Sequence, residues 1–119
     1  MIKVAVCGAL GKMGSEVCRA VEEQEGMELV AKIDVASSGT YHTIEEAHRV
    51  QDIDVLVDFT QPQAIFENAK FCLNNGIKTV IGTTGLKDDE IEYLRELSRS
   101  KNTGCLIAPN FSSGAVLKN

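Results

Sequence analysis

The sequence predicts a doubly wound α/β fold, in which helices cover both faces of a parallel sheet. Short apolar runs alternate with helical patterns along the chain, an order typical of parallel strands joined by helices. The runs VAVC and VLV are apolar without alternation, so both faces of those strands are expected to be buried. A glycine-rich stretch, VCGALGKMG, joins the first strand to the first helix.

Length and composition fit one globular domain. The chain has 119 residues, of which 44% are hydrophobic and 24% charged, and its formal net charge is −5. No apolar run approaches the roughly 20 residues that span a bilayer, and the first residues lack the pattern of a secretion signal. Lys and Arg are not clustered, which argues against a nucleic-acid partner. We expect a cytoplasmic protein that binds neither nucleic acid nor membrane.

Five apolar runs are predicted to be strands, at residues 2–7, 28–34, 54–59, 77–81 and 104–108. We expect the order 3-2-1-4-5, which is common in dinucleotide-binding sheets. In that order, the ends of strands four and five face the glycine turn. The predicted class is a Rossmann-like, doubly wound parallel sheet in a single domain.

Four helices are predicted between these strands. The first follows the glycines and is expected to bury Met13 and Val17. The second is short and begins with a capping box at Thr43. The third has Pro62 near its first turn, and the fourth begins near Asp88.

The cysteines are expected to be small, buried, hydrophobic residues in a reducing compartment. They stand far apart, and no C-x-x-C pair indicates zinc or redox chemistry. We therefore predict no metal site. The residues are Cys7, Cys18, Cys72 and Cys105.

Gly8, Gly11 and Gly14 form the pattern G-x-x-G-x-x-G between the first strand and the first helix. This is the context of a dinucleotide-binding turn, where backbone N–H groups and the helix dipole attract a pyrophosphate. Gly14 is expected to let the helix pack closely on the sheet. A plain tight turn is the alternative explanation of the glycines.

Asp34 supports the dinucleotide interpretation, because it ends the second strand and follows the last glycine by the spacing of a ribose-binding acid. A carboxylate there repels the 2′-phosphate of NADPH, which favours NADH slightly. Lys12 is the residue that would reach a 2′-phosphate, or else it is a solvated surface lysine. NADH and NADPH therefore both remain open as cofactors.

Two further loops follow strands four and five, with the sequences GTTG and APNFSSG. Together with VCGALGKMG and VDFT, in this order, they resemble the N-terminal dinucleotide-binding domain of the 4-hydroxy-tetrahydrodipicolinate (dihydrodipicolinate) reductase family. The resemblance covers essentially the whole chain. It implies a reductase that uses NAD(P)H to reduce a cyclic, unsaturated dicarboxylate in the diaminopimelate route of lysine biosynthesis.

The resemblance also implies the cofactor contacts. The glycine turn would wrap the pyrophosphate, Asp34 would bind the adenosine ribose, and the two later loops would border the nicotinamide. Thr84 would lie closest to the substrate. The implied cofactor-binding residues are Gly8, Ala9, Leu10, Gly11, Lys12, Met13, Asp34, Gly82, Thr83, Thr84, Ala108, Pro109, Asn110 and Phe111.

We assign no catalytic residue, because the family's catalytic groups belong to a second domain that is absent from these 119 residues. His42 and His48 are not adjacent and are expected to lie at the surface. The chain is expected to bind a dinucleotide without turning over the dicarboxylate substrate. Full-length members of the family form homotetramers, whereas this chain is expected to be a monomer or weak dimer.

Two other functions stay open at this point. One is a stand-alone NAD(P)-sensing module without catalysis. The other is the N-terminal half of a different dehydrogenase, such as homoserine or aspartate-semialdehyde dehydrogenase. The GTTG and APNFSSG loops argue against this second alternative.

Overall fold

A computed structural model describes residues 1–36, 40–83 and 85–108, and in them the predicted strands form one parallel sheet. The predicted fold class is confirmed. In chain order the elements are β1 (Ile2–Cys7), α1 (Lys12–Glu23), β2 (Met27–Ile33), α2 (Ile44–Val50), β3 (Val55–Asp58), α3 (Pro62–Asn74), β4 (Lys78–Ile81), α4 (Asp88–Lys101) and β5 (Cys105–Ile107).

The strand order is β2-β1-β3-β4-β5, so the predicted order 3-2-1-4-5 was wrong. β3 lies between β1 and β4, where Leu56, Val57 and Asp58 are buried and both edges of the strand are paired. β2 is instead an edge strand with several partly exposed positions, which suits the margin of the sheet. The order therefore reverses between β1 and β3, and ligands of doubly wound sheets bind beyond the carboxyl ends of strands at such a point.

β1 is buried on both faces, as its apolar run predicts. Val4 and Val6 belong to the cluster that packs on α1, whereas Ala5 and Cys7 belong to the cluster beneath α2 and α3. Alternate side chains thus join two hydrophobic layers, which makes β1 the centre of the domain.

Two details of the helices differ from expectation. Met13 is 37% exposed, so its predicted burial was wrong: it lies in the first turn of α1, beyond the end of β1. At α2 the Glu46 N–H donates to Thr43 Oγ1 (3.1 Å), as a capping box requires. The return bond is shifted by one residue, because Glu46 Oε1 accepts from the His42 N–H.

The cysteines are free thiols, and Cys105 is half-buried while the other three are buried. Burial raises the pKa of Cys72 to about 12, so its thiol stays protonated at neutral pH. The expected surface position holds for His42, whereas His48 is half-buried and packs edge-on against Phe71. None of the described helices has the length and apolar character needed to cross a membrane.

The two faces of the sheet are covered unequally. α2, α3 and α4 pack on one face, and in the described part of the chain α1 packs on the other. Beside α1 lies an open groove of about 400 Å³ with Val55, Val80 and Leu106 in its lining. Leu106 is 48% exposed, which leaves apolar surface on this side of β4 and β5.

We predict that Leu94→Ala lowers the free energy of unfolding by about 2 to 5 kcal/mol. Leu94 is 1% exposed and fills the layer between α3 and α4 with Ile65 and Leu73, so truncation leaves a cavity. Urea unfolding followed by circular dichroism measures the change. A loss below about 0.5 kcal/mol would contradict this packing of α4 on α3.

Candidate functional site

The glycine turn after β1 is tied to the end of β2 by backbone hydrogen bonds. Gly8 and Ala9 donate their N–H groups to the Ile33 carbonyl oxygen at 2.9 and 3.2 Å, and the Gly11 N–H donates to the Gly8 carbonyl. Gly8 has φ = 76°, a left-handed conformation that favours glycine. The turn is therefore closed on itself and fixed to the neighbouring strand.

Gly14 makes the closest approach in this turn. A Cβ atom on Gly14 would overlap the Gly8 carbonyl oxygen and lie 2.7 Å from the Gly8 carbonyl carbon. The expected close packing of Gly14 thus occurs against the turn, more than against the strands. Only a glycine lets α1 begin directly above Gly8.

The first turn of α1 supplies no side chain that would neutralise its own helix dipole. Its N-cap is Gly11, which has no side chain, and the first turn holds no acidic residue. α4, by contrast, begins with Asp88, Asp89 and Glu90. The first-turn N–H groups and the helix dipole of α1 therefore suit an anionic group supplied from outside.

Asp34 lies immediately beyond β2, and its carboxylate bends back to the glycine turn. Asp34 Oδ2 accepts from the Leu10 N–H (3.1 Å), and Oδ1 accepts from the Ala36 N–H (2.9 Å). A carboxylate oxygen accepts more than one hydrogen bond, so both oxygens keep capacity for hydroxyl donors. The predicted pyrophosphate turn and the predicted ribose acid are thus in direct contact.

A cavity of about 210 Å³ opens beside Asp34. Its lining includes Val35 and Ile44 at the start of α2 and Ala64 in the first turns of α3. These three side chains are apolar, and the lining also includes Asp34, His42, Glu45, Thr60 and Asn68. The cavity has the chemistry of a site for a flat, mostly apolar ring joined to a hydroxyl-bearing group.

Phe59 separates the glycine turn from the loop after β4. A Cβ atom on Gly8 would lie 3.2 Å from the Phe59 carbonyl carbon, and one on Gly82 would lie 2.6 Å from Phe59 Cδ1. Two glycines therefore allow the Phe59 residue to fit between neighbouring strand ends. Thr83 Oγ1 donates to the Thr60 carbonyl oxygen (3.4 Å). This bond links the loop after β4 to the turn after β3, which contains Phe59 and Thr60.

The carboxyl edge of the sheet brings together most of the residues predicted to contact the cofactor. Lys12 and Met13 stand exposed at the start of α1, and the Ala108 N–H donates to the Ile81 carbonyl beside the loop after β4. The cofactor roles of all these residues stay predictions. Those that gather at this edge are Gly8, Ala9, Leu10, Gly11, Lys12, Met13, Asp34, Gly82, Thr83 and Ala108, whereas Thr84, Pro109, Asn110 and Phe111 lie outside the described residues.

Sequence reasoning missed a polar pair behind this edge, the buried Asp58 and the half-buried Asn68. In the sequence, Asp58 occurs only within VDFT, and Asn68 belongs to no recognised motif. Asn68 Nδ2 donates to Asp58 Oδ2 (2.9 Å) across ten residues of sequence. The available signal is an acid that directly follows the apolar run VLV.

Comparison with known proteins decides the family. Residues 2–111 match the family model described as dihydrodipicolinate reductase, N-terminus. The chain belongs to this family. It is 50% identical over 118 residues to the 4-hydroxy-tetrahydrodipicolinate reductase of Cutibacterium acnes, an alignment that covers 98% of the chain and 45% of that protein. The reductase of Syntrophomonas wolfei is 42% identical, with 97% of the chain and 49% of the relative covered.

Solved structures agree with this assignment. A dipicolinate-bound dihydrodipicolinate reductase from Paenisporosarcina sp. TG-14 matches with a TM-score of 0.86 and 36% identity, over 98% of the chain and 50% of that structure. A myo-inositol 2-dehydrogenase from Lactobacillus plantarum matches with a TM-score of 0.78 at 18% identity, over 90% of the chain and 36% of that structure, and shows the fold alone. The chain spans about half the length of its reductase relatives. These findings favour the reductase family over the homoserine dehydrogenase alternative.

We predict that Gly14→Ala lowers the free energy of unfolding by about 1 to 3 kcal/mol or more, because the new methyl group overlaps the Gly8 carbonyl. Gly104→Ala is the matched control, since its Cβ atom would meet only Lys78 Cγ, at 3.9 Å. Urea unfolding of both variants measures the difference. Equal effects of the two substitutions would contradict the close approach of α1 to the turn.

Proposed function

We propose that this chain binds a nicotinamide dinucleotide across the carboxyl edge of its sheet. The observation that carries the proposal is the hydrogen bond from the Leu10 N–H to Asp34 Oδ2, which joins an anion-binding turn to a ribose-binding acid. The pyrophosphate would lie on the first turn of α1, which begins at the N-cap Gly11 and contains no acidic residue. The adenosine would extend past Asp34 into the apolar cavity beside it.

The nicotinamide would lie at the other end of the edge, near Gly82, Thr83 and Ala108. Support comes from the sheet order, because the strand order reverses between β1 and β3 and the loop after β4 lies next to that point. Phe59 lies between the two halves of the proposed site, in contact with Gly8 and Gly82, and would limit the access of water from the side of the sheet. Thr84, Pro109, Asn110 and Phe111 are proposed to complete this end by their resemblance to the family's motifs.

In a full-length protein of this family, we propose that the domain serves the reduction of a cyclic, unsaturated dicarboxylate in lysine and diaminopimelate biosynthesis. The bound NAD(P)H supplies the hydride. The residues of this chain bind and orient the cofactor, and the proton donor and the groups that hold the dicarboxylate belong to the rest of the protein. We therefore propose that these 119 residues alone do not turn over substrate.

The same proposal extends to assembly and location. The apolar groove beside α1 is a surface on which the remaining half of a full-length protein would pack. Homotetramers would form through that half, so this chain would be a monomer or weak dimer. Free cysteines buried without disulfides suit the reducing cytoplasm.

Titration calorimetry with NADH and NADPH tests the binding function. We expect a dissociation constant on the order of micromolar for at least one of them, because turn, acid and cavity are already assembled without ligand. Gly104→Ala should bind like the unmodified chain, since Gly104 lies at the opposite end of the sheet. Absence of binding of either nucleotide to a folded chain would overturn the proposal.

NADH is proposed to be slightly favoured, since Asp34 is an acid at the ribose position and exposed Val35 follows it. We predict that Asp34→Asn lowers the ratio of the NADPH to the NADH dissociation constant by about tenfold. The substitution removes the negative charge that repels the 2′-phosphate of NADPH. Lys12→Gln should move the ratio in the opposite direction. Equal ratios in the unmodified chain and in Asp34→Asn would exclude Asp34 as the discriminating residue.

A further inference from the structure

Asp58 is fully buried at the end of β3, and both of its carboxylate oxygens accept hydrogen bonds. Asp58 Oδ1 accepts from the Thr60 N–H (2.9 Å) and from the Thr60 hydroxyl (2.6 Å). Asp58 Oδ2 accepts from Asn68 Nδ2 (2.9 Å) on α3. The side chain therefore ties the turn after β3 to a helix on one face of the sheet.

The turn held by Asp58 contacts the segments on both sides of it. Toward β1, the Phe59 N–H donates to the Cys7 carbonyl (3.0 Å), directly before the glycine turn. Toward β4, the Gly82 N–H donates to the Asp58 carbonyl (2.9 Å). The bond from Thr83 Oγ1 to the Thr60 carbonyl is the longest of the series at 3.4 Å. The turn after β3 thus sets the separation of the two loops that flank it.

The energetics of burial indicate that Asp58 has a role beyond packing. None of its bonded partners is a cation, and burying a carboxyl group on neutral donors alone is costly compared with an apolar side chain. The residues before it, Val55 to Val57, show that β3 accepts apolar side chains. A hydrophobic residue would suit the sheet, but it could not hold Thr60 and Asn68 at the same time.

We propose that Asp58 is a positioning residue for the dinucleotide site. Together with Asn68 and Thr60, it holds the turn after β3 at the spacing that a bound dinucleotide requires between Gly8 and Thr83. Asp58 is buried and does not touch the cofactor; it acts through Phe59 and Thr60. This inference rests on the proposed binding of NAD(P)H.

An exchange of the two side chains tests the pair. Asp58→Asn removes the negative charge that strengthens the bonds from Thr60 and Asn68, and Asn68→Asp places two carboxyl groups together, so each is expected to raise the NADH dissociation constant about tenfold. The double variant Asp58→Asn/Asn68→Asp restores one donor and one acceptor at this contact. It is expected to bind NADH within about threefold of the unmodified chain.

Thr60 provides a second, conservative pair of variants. Thr60→Val keeps the branched shape and removes the hydroxyl that donates to Asp58 Oδ1, so NADH binding should weaken. Thr60→Ser keeps the hydroxyl and should bind NADH more tightly than Thr60→Val does. Equal affinity of the two Thr60 variants would count against the network.

Two control variants separate positioning from general destabilisation. Ile77→Val, just before β4 at the opposite edge of the sheet, and Leu94→Ala, between α3 and α4, bracket the stability loss expected of Asp58→Asn. Both should lower the unfolding midpoint and leave the NADH dissociation constant unchanged. If they weaken NADH binding as much as Asp58→Asn does, Asp58 is merely structural and the inference is wrong.

Amide hydrogen exchange tests whether Asp58 holds the turn after β3, and it requires no nucleotide. Asp58→Asn should speed exchange at Phe59 and Gly82 about tenfold relative to Val6 in the centre of β1, whereas the two controls should change all three amides together. An unchanged ratio would overturn the inference whatever the nucleotide titrations give. If the unmodified chain bound neither NADH nor NADPH, the proposed function would fail, and this ratio would still decide whether Asp58 holds the turn.

Discussion

The contact between α1 and the Gly8 carbonyl is the constraint on which the rest of the site depends. Because nothing larger than hydrogen fits at Gly14, the helix begins directly above the turn, and its first N–H groups point beyond the edge of the sheet. The glycine turn is hydrogen-bonded to the Ile33 carbonyl at the end of β2. This contact places Asp34 against Leu10. The positions of the proposed pyrophosphate site and of the proposed ribose acid therefore both depend on this one close approach.

Much of the fold follows from local pattern. The unbroken apolar runs identified β1 and β3 as strands buried on both faces, and the pairing of Thr43 with Glu46 located the start of α2. The strand order could not be predicted in this way, because the hydrophobic pattern indicates which residues are buried but not which strands are neighbours in the sheet. The end of β2 at Ile33, one residue before the predicted end, matters for function: outside the strand, Asp34 is free to turn toward Leu10.

The candidate site divides in the same way. Glycine spacing and the position of Asp34 are local signals of a dinucleotide turn, and they predict one half of the candidate site. The link between Asp58 and Asn68 is not local, since it joins a strand end to the middle of α3, and no motif describes it. Contacts of Phe59 with two glycines on different strands belong to the same class, because they exist only once the strands are side by side.

The proposed nucleotide site and the apolar groove beside α1 lie at different ends of the strands, and this separation has a consequence. The groove is lined near the amino ends of the strands by Ile2, Met27 and Lys78, whereas the site lies beyond the carboxyl ends at Gly8, Asp34 and Gly82. A polypeptide segment packed on the groove would bury Leu106 without covering the turn. Further protein packed on the groove would therefore stabilise the sheet near the amino ends of its strands and leave the proposed cofactor edge at the carboxyl ends accessible.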